Sequence, residues 1–101
     1  MYNSSNLKKL GKLGAAAPAQ WQGFLAFDKA VMADGALSKK HKEIIAVAVA
    51  LATQCPYCIE IHSDAARKAG ASEAELAEAA FVAAAIKAGG AITHATHFVA
   101  D

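Results

Sequence analysis

The chain has 101 residues, with ten Lys and Arg, nine Asp and Glu, four His and two Cys. That length is typical of one domain, and a net charge of +1 excludes the basic balance of a nucleic-acid-binding protein. Alanine accounts for 27 residues, whereas Leu, Ile, Val and Phe together account for 22. Because alanine is the strongest helix former and β-branched residues are few, we expect one all-α domain over residues 1–101, with a thin core.

The N-terminal third of the chain predicts an arm followed by a helix. Residues 1–14 are polar and lysine-rich, and we expect mainly an arm, with at most a helical turn through its leucines. Pro18 suits the first turn of a helix, which we expect to extend to about Ala33. We expect the apolar face of this helix to contribute mainly to the core, and its aromatic residues at 21–27 could also form a wall of a substrate site. It consists of Trp21, Phe24, Leu25, Phe27, Val31 and Met32.

The second predicted helix covers residues 39–53 and begins after Ser38, a good N-cap residue. After its first turn it is apolar on every side, which predicts burial within the domain or against a partner subunit. The apolar run IIAVAVALA at 44–52 has nine residues, fewer than the roughly 20 that span a membrane. Residues 1–14 contain no apolar core of a signal peptide. We therefore expect a cytoplasmic protein without a membrane partner.

The rest of the chain predicts three more helices. One covers about 55–69, and the next begins after Ser72, whose spacing to Glu75 is that of a capping box. We expect Gly89-Gly90 to end that helix and residues 91–99 to form a short final one. No strand pattern is present. The prediction is a compact fold of about five helices, with a Cys-x-x-Cys motif at the N-terminus of a central helix.

The residues that carry chemistry are Cys55, Cys58 and His62, spaced by three and four. This spacing places all three on one face of a helix. The helix N-terminus favours a thiolate at Cys55, and the two sulfurs can close into a disulfide. His62 can act as a base near neutral pH. Because cysteines in a reducing compartment are more often chemical than structural, we expect a thiol-based function.

Two further residues are candidates for the same site. Glu43 is the last acid before the apolar part of its helix, and a tight turn around Thr53-Gln54 allows an antiparallel neighbour to bring it against His62. A carboxylate there would orient the imidazole or relay its proton. Tyr57, between the cysteines, could offer its hydroxyl to the site or only cover it.

Other interpretations of these residues remain open at the level of sequence. Cys55, Cys58 and His62 could be part of a zinc site, although structural zinc normally takes four ligands and only His94 and His97 are clustered elsewhere. The cysteines could also be inert core residues, and Glu43 a solvated acid of the first turn. A thioredoxin fold is excluded because it needs strands on both sides of the motif.

The motif resembles the carboxymuconolactone decarboxylase superfamily and, within it, the alkylhydroperoxidase D (AhpD)-like branch. The resemblance is carried by Glu43, by Cys55-Pro-Tyr-Cys58 and by His62, and continues through the run HSDAARKAG and the helix capped by Ser72. It covers roughly residues 21–98. The pattern Glu-x11-Cys-x-x-Cys-x3-His is far more specific than an isolated Cys-x-x-Cys motif.

The resemblance implies a role for each site residue. Cys58 would attack a hydroperoxide, Cys55 would resolve the product to a disulfide, and a dithiol donor, of lipoyl type in the family, would reduce it. His62 and Glu43 would form the proton relay, with no bound metal or cofactor. The helix dipole alone favours Cys55 as the thiol of lower pKa. The best-characterised motif of this branch has a histidine between the cysteines, where this chain has Tyr57.

The resemblance also implies an assembly and leaves two alternatives. Family members form trimers or hexamers, and we expect a homo-oligomer here because residues 44–52 and the alanine-rich fourth helix leave much apolar surface to cover. The alternatives are a decarboxylase-like enzyme, whose relatives generally lack the cysteine pair, and a non-enzymatic zinc-binding or assembly module.

Overall fold

The computed structural model describes residues 2–101 and contains helices as its only regular secondary structure over that range. Two 3₁₀ segments, Ser4–Lys9 and Ala95–Phe98, flank the five α-helices. The helices are α1 (Leu10–Ala16), α2 (Pro18–Met32), α3 (Lys39–Thr53), α4 (Pro56–Lys68) and α5 (Glu73–His94). The predictions of an all-α class, of about five helices and of a Cys-x-x-Cys motif at the start of a helix are confirmed.

Side-chain caps set the starts of α3 and α5. The backbone N–H of His41 donates to the hydroxyl of Ser38 at 3.2 Å. At α5 the capping box is complete, because Glu75 N–H donates to Ser72 Oγ at 3.1 Å and Ser72 N–H donates to Glu75 Oε1 at 2.9 Å. These bonds satisfy N–H groups that have no partner within the helix.

The core lies between α3, α4 and α5. Its buried members are Val47, Ala66, Ala71 and Leu76, and Ile44 and Leu51 pack against them. Ala66 is fully buried, and its small side chain lets the backbones of α3 and α4 approach closely. The alanine-rich composition therefore produces the thin core that the sequence predicts, with α3 in contact with both of its neighbours.

The N-terminal segment is helical, so the prediction of an arm over residues 1–14 is wrong for the part described. The 3₁₀ segment leads directly into α1, and α1 packs on α2. Gly14 is buried under the indole of Trp21, where a Cβ would lie 2.7 Å from Nε1. The absence of a side chain at Gly14 is therefore what allows α1 and α2 to meet.

The apolar face of α2 does not enter the core. No residue of α2 is buried, and both Phe24 and Phe27 are more than half exposed. The physical reason is that α2 contacts α1 and only part of α3, so no further layer covers it. The radius of gyration of 17.0 Å reflects this arrangement, because about 13 Å is typical of a domain of 100 residues.

Helix α5 continues through Gly89-Gly90, so the predicted break there is wrong. A glycine in a helix costs only about 1 kcal/mol relative to alanine, and neither glycine has a positive φ. The side chains of Thr93 and His94 also donate to the carbonyl of Gly90, at 3.1 and 2.8 Å. The chain from 91 to 98 therefore forms the end of α5 and a 3₁₀ turn.

One consequence of the unbroken helix is a long apolar segment. Residues Glu73–Phe98 are long and apolar enough to cross a membrane by length and composition alone. Leu76 and Ala83 are its buried residues. Its large exposed apolar side chains are Phe81, Val82, Ile86, Ile92 and Phe98.

Candidate active site

A tight turn between α3 and α4 places the cysteine motif. Gln54 has a left-handed backbone (φ 56°) and its N–H donates to the carbonyls of the last turn of α3. Cys55 N–H then donates to Ala50 O at 2.9 Å. Cys55 is the N-cap of α4 and Pro56 occupies its first turn. The turn reverses the chain in two residues, so α4 returns along α3.

The two cysteines are free thiols in contact with each other. Cys58 N–H donates to Cys55 Sγ at 3.4 Å, and both side chains are half-buried. The pKa of Cys55 is lowered by hydrogen bonds from the Cys58 thiol and from the Cys58 backbone N–H. The pKa of Cys58 is raised because its thiol donates to Cys55 and because it is partly buried. Cys55 is therefore the better thiolate and Cys58 its hydrogen-bond donor.

Glu43 and His62 form the second pair of the site. Nδ1 of His62 lies 2.8 Å from Oε2 of Glu43. Because a carboxylate only accepts hydrogen bonds, Nδ1 carries the hydrogen and Nε2 is left free to accept a proton. The helix spacing predicted this contact, and the antiparallel return of α4 along α3 produces it.

The Glu43 carboxylate is the one buried charged group among residues 2–101, at 3% exposure. Its second oxygen lies 3.5 Å from Nζ of Lys39, one turn earlier on α3. Burying a carboxylate is costly unless it is paired and hydrogen-bonded. His62 and Lys39 supply those partners, so the carboxylate is held in place behind the imidazole.

Cys58 and His62 line two apolar cavities together. The first, of about 430 Å³, lies between α2 and α3 and includes Val31, Ile45 and Val49. The second, of about 530 Å³, lies under the N-terminal segment and is called here the N-terminal pocket. Cys55 is not among the lining residues of either cavity. A small molecule in either cavity would meet Cys58 rather than Cys55.

Tyr57 has a role that the sequence did not reveal. Its hydroxyl accepts a hydrogen bond from Nδ2 of Asn6 at 2.9 Å and lies 3.4 Å from Asn3 N. Its ring meets the ring of Tyr2 edge to face, with centroids 4.8 Å apart. Tyr2 donates its hydroxyl to Glu60, which raises the pKa of Tyr2 to about 12. Tyr57 thus holds the N-terminal segment against the motif, and no local pattern in the sequence indicates such distant contacts.

The ligand set that a zinc site needs is not assembled. Among residues 2–101, no three His, Cys, Asp or Glu side chains form a group that could hold a metal ion. His62 uses Nδ1 for Glu43, and His94 and His97 pair with each other, with ring centroids 5.7 Å apart. The donor set therefore does not fit structural zinc with four ligands.

The fold and site define an all-helical protein with a Cys-x-x-Cys motif at a helix N-terminus and, near it, a hydrogen-bonded pair of a buried glutamate and a half-buried histidine. A comparison with protein-family models gives the same class: the model of the carboxymuconolactone decarboxylase family matches residues 18–101. The chain belongs to the carboxymuconolactone decarboxylase family.

Individual relatives agree with this assignment. Uncharacterized protein 4 in the cox locus of Paracoccus denitrificans is 48% identical over 91 residues, which are 90% of this chain and 82% of that protein. A crystal structure of a Methanobacterium thermoautotrophicum protein matches with a TM-score of 0.81 and 38% identity, over 85% of this chain and 97% of its own. A carboxymuconolactone decarboxylase family protein from Legionella pneumophila matches with a TM-score of 0.79 and 37% identity, over 91% and 82%.

Proposed function

We propose that the protein is an AhpD-like, thiol-dependent hydroperoxide reductase that cycles between a Cys55–Cys58 dithiol and disulfide. The observation that carries the proposal is that the structure brings the acid–base pair and the two thiols together in one site. His62, which is bonded to Glu43, lines two cavities together with Cys58, and Cys55 lies within hydrogen-bond distance of Cys58 N–H. A base, a nucleophile and a second thiol are the groups that such a cycle needs.

In the first step, Nε2 of His62 takes the proton of the Cys58 thiol. The thiolate attacks the terminal oxygen of a hydroperoxide, ROOH, and the O–O bond breaks. Cys58 becomes a sulfenic acid, and the alkoxide leaves as ROH with the proton held by His62. Glu43 stabilises the imidazolium that forms in between, because its carboxylate accepts the hydrogen on Nδ1.

In the second step, the Cys55 thiolate attacks Cys58 Sγ and the S–O bond breaks as the disulfide forms. The leaving hydroxide takes up the proton that Cys55 had released and departs as water. The lowered pKa of Cys55 suits this role, because the attacking species is the thiolate. An external dithiol of lipoyl type then reduces the disulfide and is itself oxidised to a disulfide. The lowered pKa of Cys55 thus suits resolution, whereas the raised pKa of Cys58 means that its attack on the peroxide requires His62 to take the proton.

The test is a titration of thiols in reduced protein with one equivalent of cumene hydroperoxide. We expect rapid loss of two thiols per chain in wild type and a sulfenic acid trapped by dimedone in Cys55→Ser. Cys58→Ser should lose all turnover with peroxide and dithiol. A decarboxylase on this fold would instead tolerate Cys58→Ser. Oxidation no faster than that of a free small-molecule thiol would refute the proposal.

The exposed apolar residues of α5 further support a proposal of assembly. We infer that the chain is cytoplasmic and that its copies form a trimer or hexamer in which these residues are covered, because so large an apolar surface is unusual on a soluble monomer. Sedimentation should give a multiple of 10.4 kDa. Val82→Asp and Ile86→Asp should dissociate the assembly, whereas partition of the wild type into vesicles would favour a membrane location for α5.

A further inference from the structure

The N-terminal pocket joins two parts of the chain that the motif itself does not connect. One wall comes from the N-terminal segment and the opposite walls from α2 and α4, with Cys58 and His62 at the shared surface. Its volume of about 530 Å³ lies within the range of pockets that hold small organic molecules. The pocket is therefore large enough for more than hydrogen peroxide.

The walls of this pocket are largely apolar. Apart from His62 and Cys58, Asp28 is the one residue in its lining that can carry a charge near neutral pH. Leu7, Leu10, Trp21, Phe24 and Ile61 supply apolar and aromatic surface. Asp28 is the only carboxylate that lines it, and a carboxylate at the wall disfavours anionic ligands. Asn6 and Tyr57 are already bonded to each other. The chemistry of the pocket thus disfavours an anionic ligand, and its largely apolar walls favour a hydrocarbon group.

The wall made by Asn6, Leu7 and Leu10 lies outside residues 18–101, the range matched by the family model. Two contacts hold it in place. Tyr57 binds Asn6, and Gly14 packs against Trp21 where α1 meets α2. The N-terminal segment therefore supplies this wall, and Tyr57, which stands between the two cysteines, holds it in place.

We propose that the N-terminal pocket binds the hydrocarbon group of a neutral, bulky organic hydroperoxide, and that Leu10 and Trp21 determine this specificity. The proposal rests on the proposed peroxidase function for the chemistry at Cys58. With the hydrocarbon between these side chains, the O–O bond lies toward Cys58 and His62. Hydrogen peroxide gains nothing from the pocket, so the two substrates should respond differently to changes in its walls.

A binding experiment tests the pocket without any turnover. Trp21 is the only tryptophan, so its fluorescence reports directly on the pocket. The probe is 2-phenyl-2-propanol, the alcohol product of cumene hydroperoxide, which does not oxidise thiols. We expect a saturable fluorescence change in wild type and in Phe27→Ala, and binding weakened about tenfold in Leu10→Ala. Phe27 lies on the same helix as Trp21 and Phe24 but does not line the pocket.

A kinetic experiment then tests specificity. We expect Leu10→Ala and Trp21→Ala to slow Cys58 oxidation by cumene hydroperoxide about tenfold and to change oxidation by hydrogen peroxide less than twofold. Because Trp21 also packs against Gly14, far-UV circular dichroism must match wild type for that variant. Leu10, which is 38% exposed, provides a variant that leaves the core intact.

The outcomes separate the two proposals. Saturable binding of the alcohol without thiol oxidation would contradict the peroxidase function and leave the pocket intact. The pocket proposal would be overturned if the alcohol did not bind, or if the variants slowed Cys58 oxidation equally with both peroxides. The pocket proposal would also be overturned if Leu10→Ala slowed reduction of the disulfide by a dithiol and left the peroxide step unchanged. In that case the pocket would bind the electron donor.

Discussion

His62 and Glu43 lie on consecutive antiparallel helices, and Nδ1 of the imidazole is 2.8 Å from Oε2 of the carboxylate. The carboxylate is buried and the imidazole is half-buried beside Cys58. This arrangement fixes the hydrogen on Nδ1 and directs the basic nitrogen, Nε2, away from Glu43. The proposed proton relay would therefore be in place before any substrate binds.

Glu43→Gln should slow the oxidation of Cys58 by hydroperoxide by about 100-fold, a loss typical of impaired general acid–base catalysis. The amide has the shape of the carboxylate and can still meet Nδ1, but it cannot stabilise the imidazolium. The measurement is the rate of thiol loss under single turnover. Glu78→Gln, on the exposed surface of α5, is the control and should match wild type. An unchanged rate in Glu43→Gln would exclude the relay.

The two thiols should titrate in the order that their hydrogen bond dictates. Cys55 has a lowered pKa and Cys58 a raised one, so thiolate absorbance should rise first from Cys55 and at higher pH from Cys58. In Cys55→Ser the neighbouring thiolate is gone, so Cys58 should ionise at a lower pH than in wild type. In Cys58→Ala, Cys55 loses its donor and should ionise at a higher pH. A single transition for both thiols in wild type would contradict this order.

Two glycine substitutions should change stability in opposite directions. Gly70 ends α4 with φ at 99°, and Gly70→Ala should cost about 1 to 2 kcal/mol because a Cβ disfavours that region. Gly89 is helical, and a Cβ there meets nothing within 4 Å, so Gly89→Ala should stabilise by about 1 kcal/mol. Urea unfolding at fixed protein concentration measures both. Destabilisation by Gly89→Ala would show that α5 needs that position empty, as a close helix contact between subunits would require.

Tyr57→Phe should release the N-terminal segment while keeping the aromatic ring. The substitution removes the acceptor for Asn6, and one such hydrogen bond is worth about 1 kcal/mol. Amide hydrogen exchange over Ser4–Lys9 should therefore accelerate about fivefold. Exchange over α5 serves as the internal reference and should not change. Equal protection in both proteins would mean that ring packing alone, including the contact with Tyr2, holds the segment.

Much of the fold could be predicted because its determinants are local. Ser38 and Ser72 mark helix starts through bonds to backbone groups three residues away. The placement of Cys55, Cys58 and His62 on one face needs only the helical period. Composition alone indicated a helical class, and the motif was specific enough to indicate the family that the comparisons show.

The errors came from features that depend on what surrounds an element. Gly89-Gly90 was expected to end a helix, but glycine alone weakens a helix without stopping it. The aromatic face of α2 was expected in the core, yet α1 covers only part of it and none of its residues is buried. Sequence periodicity indicates which face of a helix is apolar, and it does not indicate whether another layer is present to bury that face.

By itself, the sequence determined α2, α3, α4 and the start of α5, the thiol motif and the order of the site residues, because short-range hydrogen bonds and helical periodicity decide these. Tertiary structure alone decided that Tyr57 binds Asn6 across 51 positions and that the N-terminal segment becomes a wall of the Cys58 cavity. Such contacts depend on how α1, α2 and α4 pack in space. No local propensity encodes that packing, because the residues involved meet only after the helices have formed.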